Sequence, residues 1–119
     1  MTLLRLRYTT LLFDVDGTLI DSNGAHAEAW TQALRDHDVD ADPPEIRRVI
    51  GMGGDKILPV FAHVSEDSDK GQAIARRKKE LFSARLPDLE PTPGARELIQ
   101  FLHGRGVDIV IATSADDGE

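Results

Sequence analysis

Two aspartates, Asp14 and Asp16, stand two residues apart directly after the apolar run Leu11-Leu12-Phe13 and before Gly17 and Thr18. In an extended chain, residues at i and i+2 project to the same side. Two like charges held together there are hard to tolerate without a cation nearby. Gly17 lets the backbone turn sharply and approach a ligand closely. The constellation suits acid–base chemistry, nucleophilic attack by a carboxylate, or the holding of a divalent ion. Asp and Gly are also common in ordinary surface turns, but the preceding apolar run makes this segment a strand end.

A second polar cluster follows a second apolar run. Thr113 and Ser114 come directly after Val107-Asp108-Ile109-Val110-Ile111-Ala112, which reads as a strand. A Thr-Ser pair in isolation is a turn composition. Its place after a strand gives it another meaning. The chain reads as strand, helical segment, helix, strand, the order of a βαβ unit whose two strands run parallel. Parallel strands end on the same side, where open α/β folds bind ligands. Asp14/Asp16 and Thr113/Ser114 are therefore expected to converge.

The elements between them follow from periodicity. A buried strand is expected over 8–13. A helix over 23–36 carries Ala29, Trp30, Ala33 and Leu34 at helical spacing, with Asp21 or Ser22 near its start. Pro43-Pro44 opens a short helix with Ile46, Val49 and Ile50 on one face. Gly51-Met52-Gly53-Gly54 then leads into Asp55-Lys56-Ile57-Leu58-Pro59-Val60-Phe61, with Pro59 expected in a first helical turn. A further helix covers 70–85, with Ile74, Leu81 and Phe82 apolar. Its Arg76-Arg77-Lys78-Lys79 run reads as a solvated face. Pro87 and Pro91-Thr92-Pro93-Gly94 punctuate the chain before an amphipathic helix over 94–103 bearing Leu98, Ile99 and Leu102.

Composition removes whole classes of function. A chain of 119 residues suffices for one small domain. Its formal net charge of −7 disfavours nonspecific binding to nucleic acid or to anionic membranes. Without cysteine there is neither a disulfide, nor a thiolate zinc site, nor a Cys nucleophile. No apolar run approaches the ~20 residues of a membrane span, and Arg5 and Arg7 interrupt the stretch where a secretory signal would be apolar. The expected setting is cytoplasmic; oligomeric state is not legible.

The stretch Asp14-Val15-Asp16-Gly17-Thr18-Leu19-Ile20-Asp21-Ser22 closely resembles the first motif of the haloacid dehalogenase (HAD) superfamily. It is most similar to the phosphatases and sugar-phosphate mutases with a helical cap inserted just after that motif. The resemblance implies an α/β fold: a partial Rossmann-like core of parallel strands over 1–20 and 90–119, and a helical cap over 21–89. It implies Asp14 as the nucleophile that becomes an aspartyl-phosphate, and Asp16 as general acid/base. Both would serve a Mg²⁺ ion, Asp16 through its backbone carbonyl. Phosphate oxygens would meet the Thr113 hydroxyl, the Ser114 amide and the amides around Val15 and Gly17. In the cap, His26 and Lys56 match positions that face substrate. Trp30 reads as the cap's core aromatic, and Thr18 as the N-cap of a short turn.

The implied reaction is hydrolysis of a small phosphorylated metabolite, of the phosphoglycolate-phosphatase type. A β-phosphoglucomutase-like activity is the alternative, and dehalogenation is disfavoured because it gives Asp16 no task. Relatives carry a lysine motif and an acidic metal-binding motif on later strands. Asp116 and Asp117 come too soon after Thr113 to be that acidic motif. The chain is thus expected to be the N-terminal piece of a longer hydrolase. A non-catalytic binding remnant is the reading from another class.

Overall fold

The computed structural model describes residues 7–114. Asp116 and Asp117, discussed above, lie outside the described residues. The order is β1 (Thr10–Phe13), α1 (Asn23–Arg35), α2 (Pro43–Arg48), α3 (Gly54–Ala62), α4 (Asp69–Ser83), a 3-10 turn (Leu86–Asp88), α5 (Ala95–Gly104) and β2 (Asp108–Ile111). Contacts divide the chain into two compact units. One ends at Asp21 and resumes over Glu90–Thr113; the other is built on Ser22–Leu89.

In the first unit β1 and β2 pair in parallel, with Thr10 opposite Asp108, Leu11 opposite Ile109, Leu12 opposite Val110 and Phe13 opposite Ile111. The Ala112 amide donates to the Phe13 carbonyl at 2.8 Å, carrying the pairing one step further. Helix α5 packs on β2 and buries Leu102, and Val107 at the entry to β2 is buried too. Gly94 before α5 and Gly106 after it both take positive φ, a backbone state open to glycine at little cost.

The chain leaves and re-enters this unit through paired segments. The Asp21 amide donates to the Glu90 carbonyl and the Thr92 amide to the Leu19 carbonyl, each at 2.9 Å. Ile20 and Pro91 thereby form an antiparallel bridge.

Two expectations for this unit need correction. The strand expected to be buried over 8–13 is shorter, and its outward residues are open: Leu12 is 72% exposed. Its only sheet neighbour among the described residues is β2, which leaves its other edge unpaired there. Leu98, placed on the apolar face of α5 with Ile99 and Leu102, is also exposed, whereas Leu102 is buried as expected.

The helical unit has a closed core. Ala33, Leu34, Ile46, Leu58 and Ile74 are fully buried, and Ala27, Trp30 and Ile57 nearly so. Helix α1 packs against α2 and α4, placing its apolar stripe between them. Gly54 opens α3 against Trp30, where a Cβ would come within 3.2 Å of the indole ring. Ser68 caps α4 by accepting a hydrogen bond from the Gly71 amide at 3.0 Å. At the far end of α1, both Asp36 oxygens are engaged, by Gln32 Nε2 at 2.7 Å and Arg77 Nε at 2.9 Å. The Arg77 bond first, then the Gln32 bond, hold the Asp36 carboxyl below its ordinary range, and Arg77 is raised in turn.

Pro59 lies inside α3, not in its first turn, because the helix already begins at Gly54. The hydrogen bond it forgoes is that to the Asp55 carbonyl. Asp55 and Pro59 are both exposed, so this lapse falls on the solvent side while Ile57 and Leu58 fill the core.

Candidate active site

The first strand ends at Phe13, and the next residue, Asp14, is exposed. The strand cannot continue because the chain folds over Val15. The Val15 carbonyl accepts from the amides of Thr18, Leu19 and Ile20 at 3.1, 2.9 and 3.1 Å. Gly17 makes this possible with φ 73°, where a Cβ would be strained. Asp16 is half-buried in this loop and bridges to Ile20.

The loop has two consequences. The Gly17 amide, expected near a phosphoryl oxygen, donates to the Ile20 carbonyl at 2.8 Å; the positive φ turns that N–H into the loop. The Thr18 hydroxyl, expected as a cap, reaches back to donate to Asp14 Oδ2 at 3.2 Å.

Parallel register brings the second cluster alongside. Phe13 stands opposite Ile111, so Asp14 follows one strand end by one residue and Thr113 follows the other by two. Neighbouring strands are ~4.8 Å apart, and Asp14 and Thr113 emerge at the same edge of one sheet. Thr113 is exposed and belongs to the same compact unit as Asp14 and Asp16. Ser114, the next residue, is exposed and falls outside that unit.

The haloacid dehalogenase-like hydrolase profile matches residues 8–118, spanning both strand ends. The chain belongs to that family. The fructose-1-phosphate phosphatase YqaB of Escherichia coli is 30% identical over 103 residues, covering 83% of this HAD chain and 53% of that protein. The phosphoglycolate phosphatase of Caulobacter vibrioides is 28% identical over 118 residues, covering 95% and 50%. A crystal structure of a hydrolase from Pseudomonas syringae superposes with a TM-score of 0.82 at 29% identity, over 92% of this chain and 50% of that one. The HAD chain thus spans about half the length of the curated relatives it matches.

The other sequence candidates lie in the helical unit. Lys56 is exposed, the third residue of α3. His26 is 8% exposed and stacks on Phe82 with ring centroids 3.9 Å apart. Lys78, assigned to a solvated face, is instead buried, its Nζ 4.8 Å from the Phe82 ring centroid and 5.8 Å from that of Trp30. A cation gains from the negative face of an aromatic ring at such distances. The signal was present in the sequence: Ile74, Lys78 and Phe82 recur every four residues on one face of α4. Four consecutive basic residues hid it.

Proposed function

We propose that the whole protein is a phosphatase of small phosphorylated metabolites, with Asp14 as nucleophile and Asp16 as general acid/base. The observation that carries this reading is the parallel register that brings the end of β1, with its two aspartates, level with the end of β2 and Thr113. The two phosphatases named above lend support, one for fructose 1-phosphate and the other for phosphoglycolate.

In the proposed first half-reaction, an Asp14 carboxylate oxygen forms a bond to phosphorus as the bond to the alcohol oxygen breaks. Asp16 gives its proton to that departing oxygen. In the second, Asp16 takes a proton from water, whose oxygen attacks phosphorus and releases Asp14 and inorganic phosphate. The Thr113 hydroxyl and the Ser114 amide donate to the phosphoryl oxygens.

The donors here suit Mg²⁺. Asp14 and the Asp16 carbonyl are hard oxygens, and this ion is commonly held by one or two carboxylates, waters and substrate phosphate. Among the described residues, no group of three or more His, Asp or Glu side chains is placed to hold a metal ion. The chemistry such an ion supplies is compensation of the charge shared by carboxylate and phosphate. Among the described residues no helix is long and apolar enough to cross a membrane, and a cytoplasmic setting is part of the proposal.

The test is phosphate release from fructose 1-phosphate and from phosphoglycolate with Mg²⁺, comparing wild type with Asp14→Asn. We expect turnover in the wild type and a loss of about a thousandfold or more in the variant. Isomerised sugar phosphate without net phosphate release would point to a mutase. Phosphate release undiminished in Asp14→Asn would remove Asp14 as nucleophile, and no turnover of either substrate would leave the chain as a binding remnant.

A further inference from the structure

We infer that Thr18 is a positioning residue for the Asp14 carboxylate, through the hydrogen bond its hydroxyl donates to Oδ2. The inference rests on the phosphatase reading above and deepens it.

Asp14 is the first residue past β1 and is exposed, so burial does little to fix its side chain. An exposed aspartate ordinarily samples several χ1 wells. Attack on phosphorus requires one oxygen in one direction, and a small misplacement of a reacting group is costly. What this structure supplies is a tether. The left-handed Gly17 folds the chain so that the Val15 carbonyl gathers three successive amides, those of Thr18, Leu19 and Ile20. That tight loop carries Thr18 back over the strand end, where Thr18 Oγ1 lies 3.2 Å from Asp14 Oδ2. One carboxylate oxygen is thereby held and the other left for attack.

A capping role for Thr18 would predict a bond from its hydroxyl oxygen to an amide further along the chain. The observed bond runs backwards, to a side chain four residues earlier. The amides of Gly17, Thr18, Leu19 and Ile20 are satisfied by the Ile20 and Val15 carbonyls, so the turn closes without the Thr18 hydroxyl. The side chain is therefore available to act on Asp14.

The test pairs Thr18→Val, which keeps the shape and removes the donor, with Thr18→Ser, which keeps the donor. Two readouts are taken on the full chain: steady-state kinetics with fructose 1-phosphate and Mg²⁺, and the Asp14 χ1 couplings by NMR. We expect Thr18→Val to lower kcat about tenfold with KM changed less than about twofold, and the χ1 couplings to move toward rotamer averaging. Thr18→Ser should restore both. Unchanged couplings or unchanged kcat in Thr18→Val would overturn the inference, as would a Thr18→Ser variant that fails to rescue. The couplings decide the matter even if the chain shows no turnover. Failure of the parent reading looks different: Asp14→Asn would turn over normally while Thr18→Val still disordered the Asp14 side chain.

Discussion

The helical unit and the strand-bearing unit solve the burial problem differently. Between Ser22 and Leu89, residues of all four helices meet in one core, with Leu34, Ile46, Leu58 and Ile74 fully removed from solvent. In the other unit only Leu102 and Val107 are buried among the described residues, while Leu12, Val110 and Ile111 on the strands remain exposed. Parallel sheets are ordinarily covered on both faces, and here α5 packs on β2. Apolar burial therefore stabilises chiefly the helical unit. The aspartate loop is defined by backbone hydrogen bonds and strand register. The proposed catalytic aspartates and the largest buried core lie in different units of this chain.

The sharpest way to break that contrast is Leu34→Ala. Removing a fully buried leucine side chain from a closed core costs about 2–5 kcal/mol, and urea unfolding followed by circular dichroism should show a loss in that range. A loss under about 1 kcal/mol would mean that the helical core is not what holds the fold.

A smaller effect is expected from Asp36→Asn, and it depends on pH. The Asp36 carboxyl titrates lower in the folded chain than in the unfolded one, chiefly through its bond from Arg77. Below the ordinary carboxylate range, near pH 4, the unfolded chain therefore binds the proton first. The stability from Asp36 is present above that range and is lost as pH falls through the depressed folded value. Wild type should lose stability on acidification more steeply than Asp36→Asn, and the two curves should converge at low pH. Parallel curves would remove the Asp36–Arg77 pair from the account. Both partners are partly open to water, so the separation at neutral pH should be modest.

The smallest effect is expected from Leu12→Thr. At 72% exposure, Leu12 has little burial to lose and threonine keeps strand propensity. Stability should stay within about 0.5 kcal/mol of wild type. A drop comparable to that of Leu34→Ala would show that the outer face of the sheet is covered in solution, and the contrast between the units would fall.

Much of this was legible in local pattern. The 3.6-residue spacing of Ala29, Trp30, Ala33 and Leu34 marked α1 to within a residue of Asn23–Arg35. Pro43 and the glycines at 51–54 bracketed α2 and α3, since these residue types restrict or free the backbone wherever they occur. Burial was less legible. An apolar run at Leu12 and an amphipathic spacing at Leu98 both point to the interior, but what covers a side chain depends on neighbours far away in sequence. Lys78 was assigned outward on charge alone, although its spacing from Ile74 and Phe82 placed it on the inner face of α4.

The sequence by itself determined the chemistry on offer: two carboxylates at a strand end, a glycine that lets the chain reverse, and a hydroxyl pair after a second apolar run. Those are properties of residue type and short spacing, and they carried the resemblance to the HAD family. Only the tertiary structure decided which partners met. The register of Phe13 with Ile111 set the two clusters at one edge, the Gly17 amide was claimed by Ile20, and the Thr18 hydroxyl was delivered to Asp14. The reason is geometric. A hydrogen bond is decided by fractions of an ångström and by direction, and these emerge when loops close and strands align, not from the order of residues.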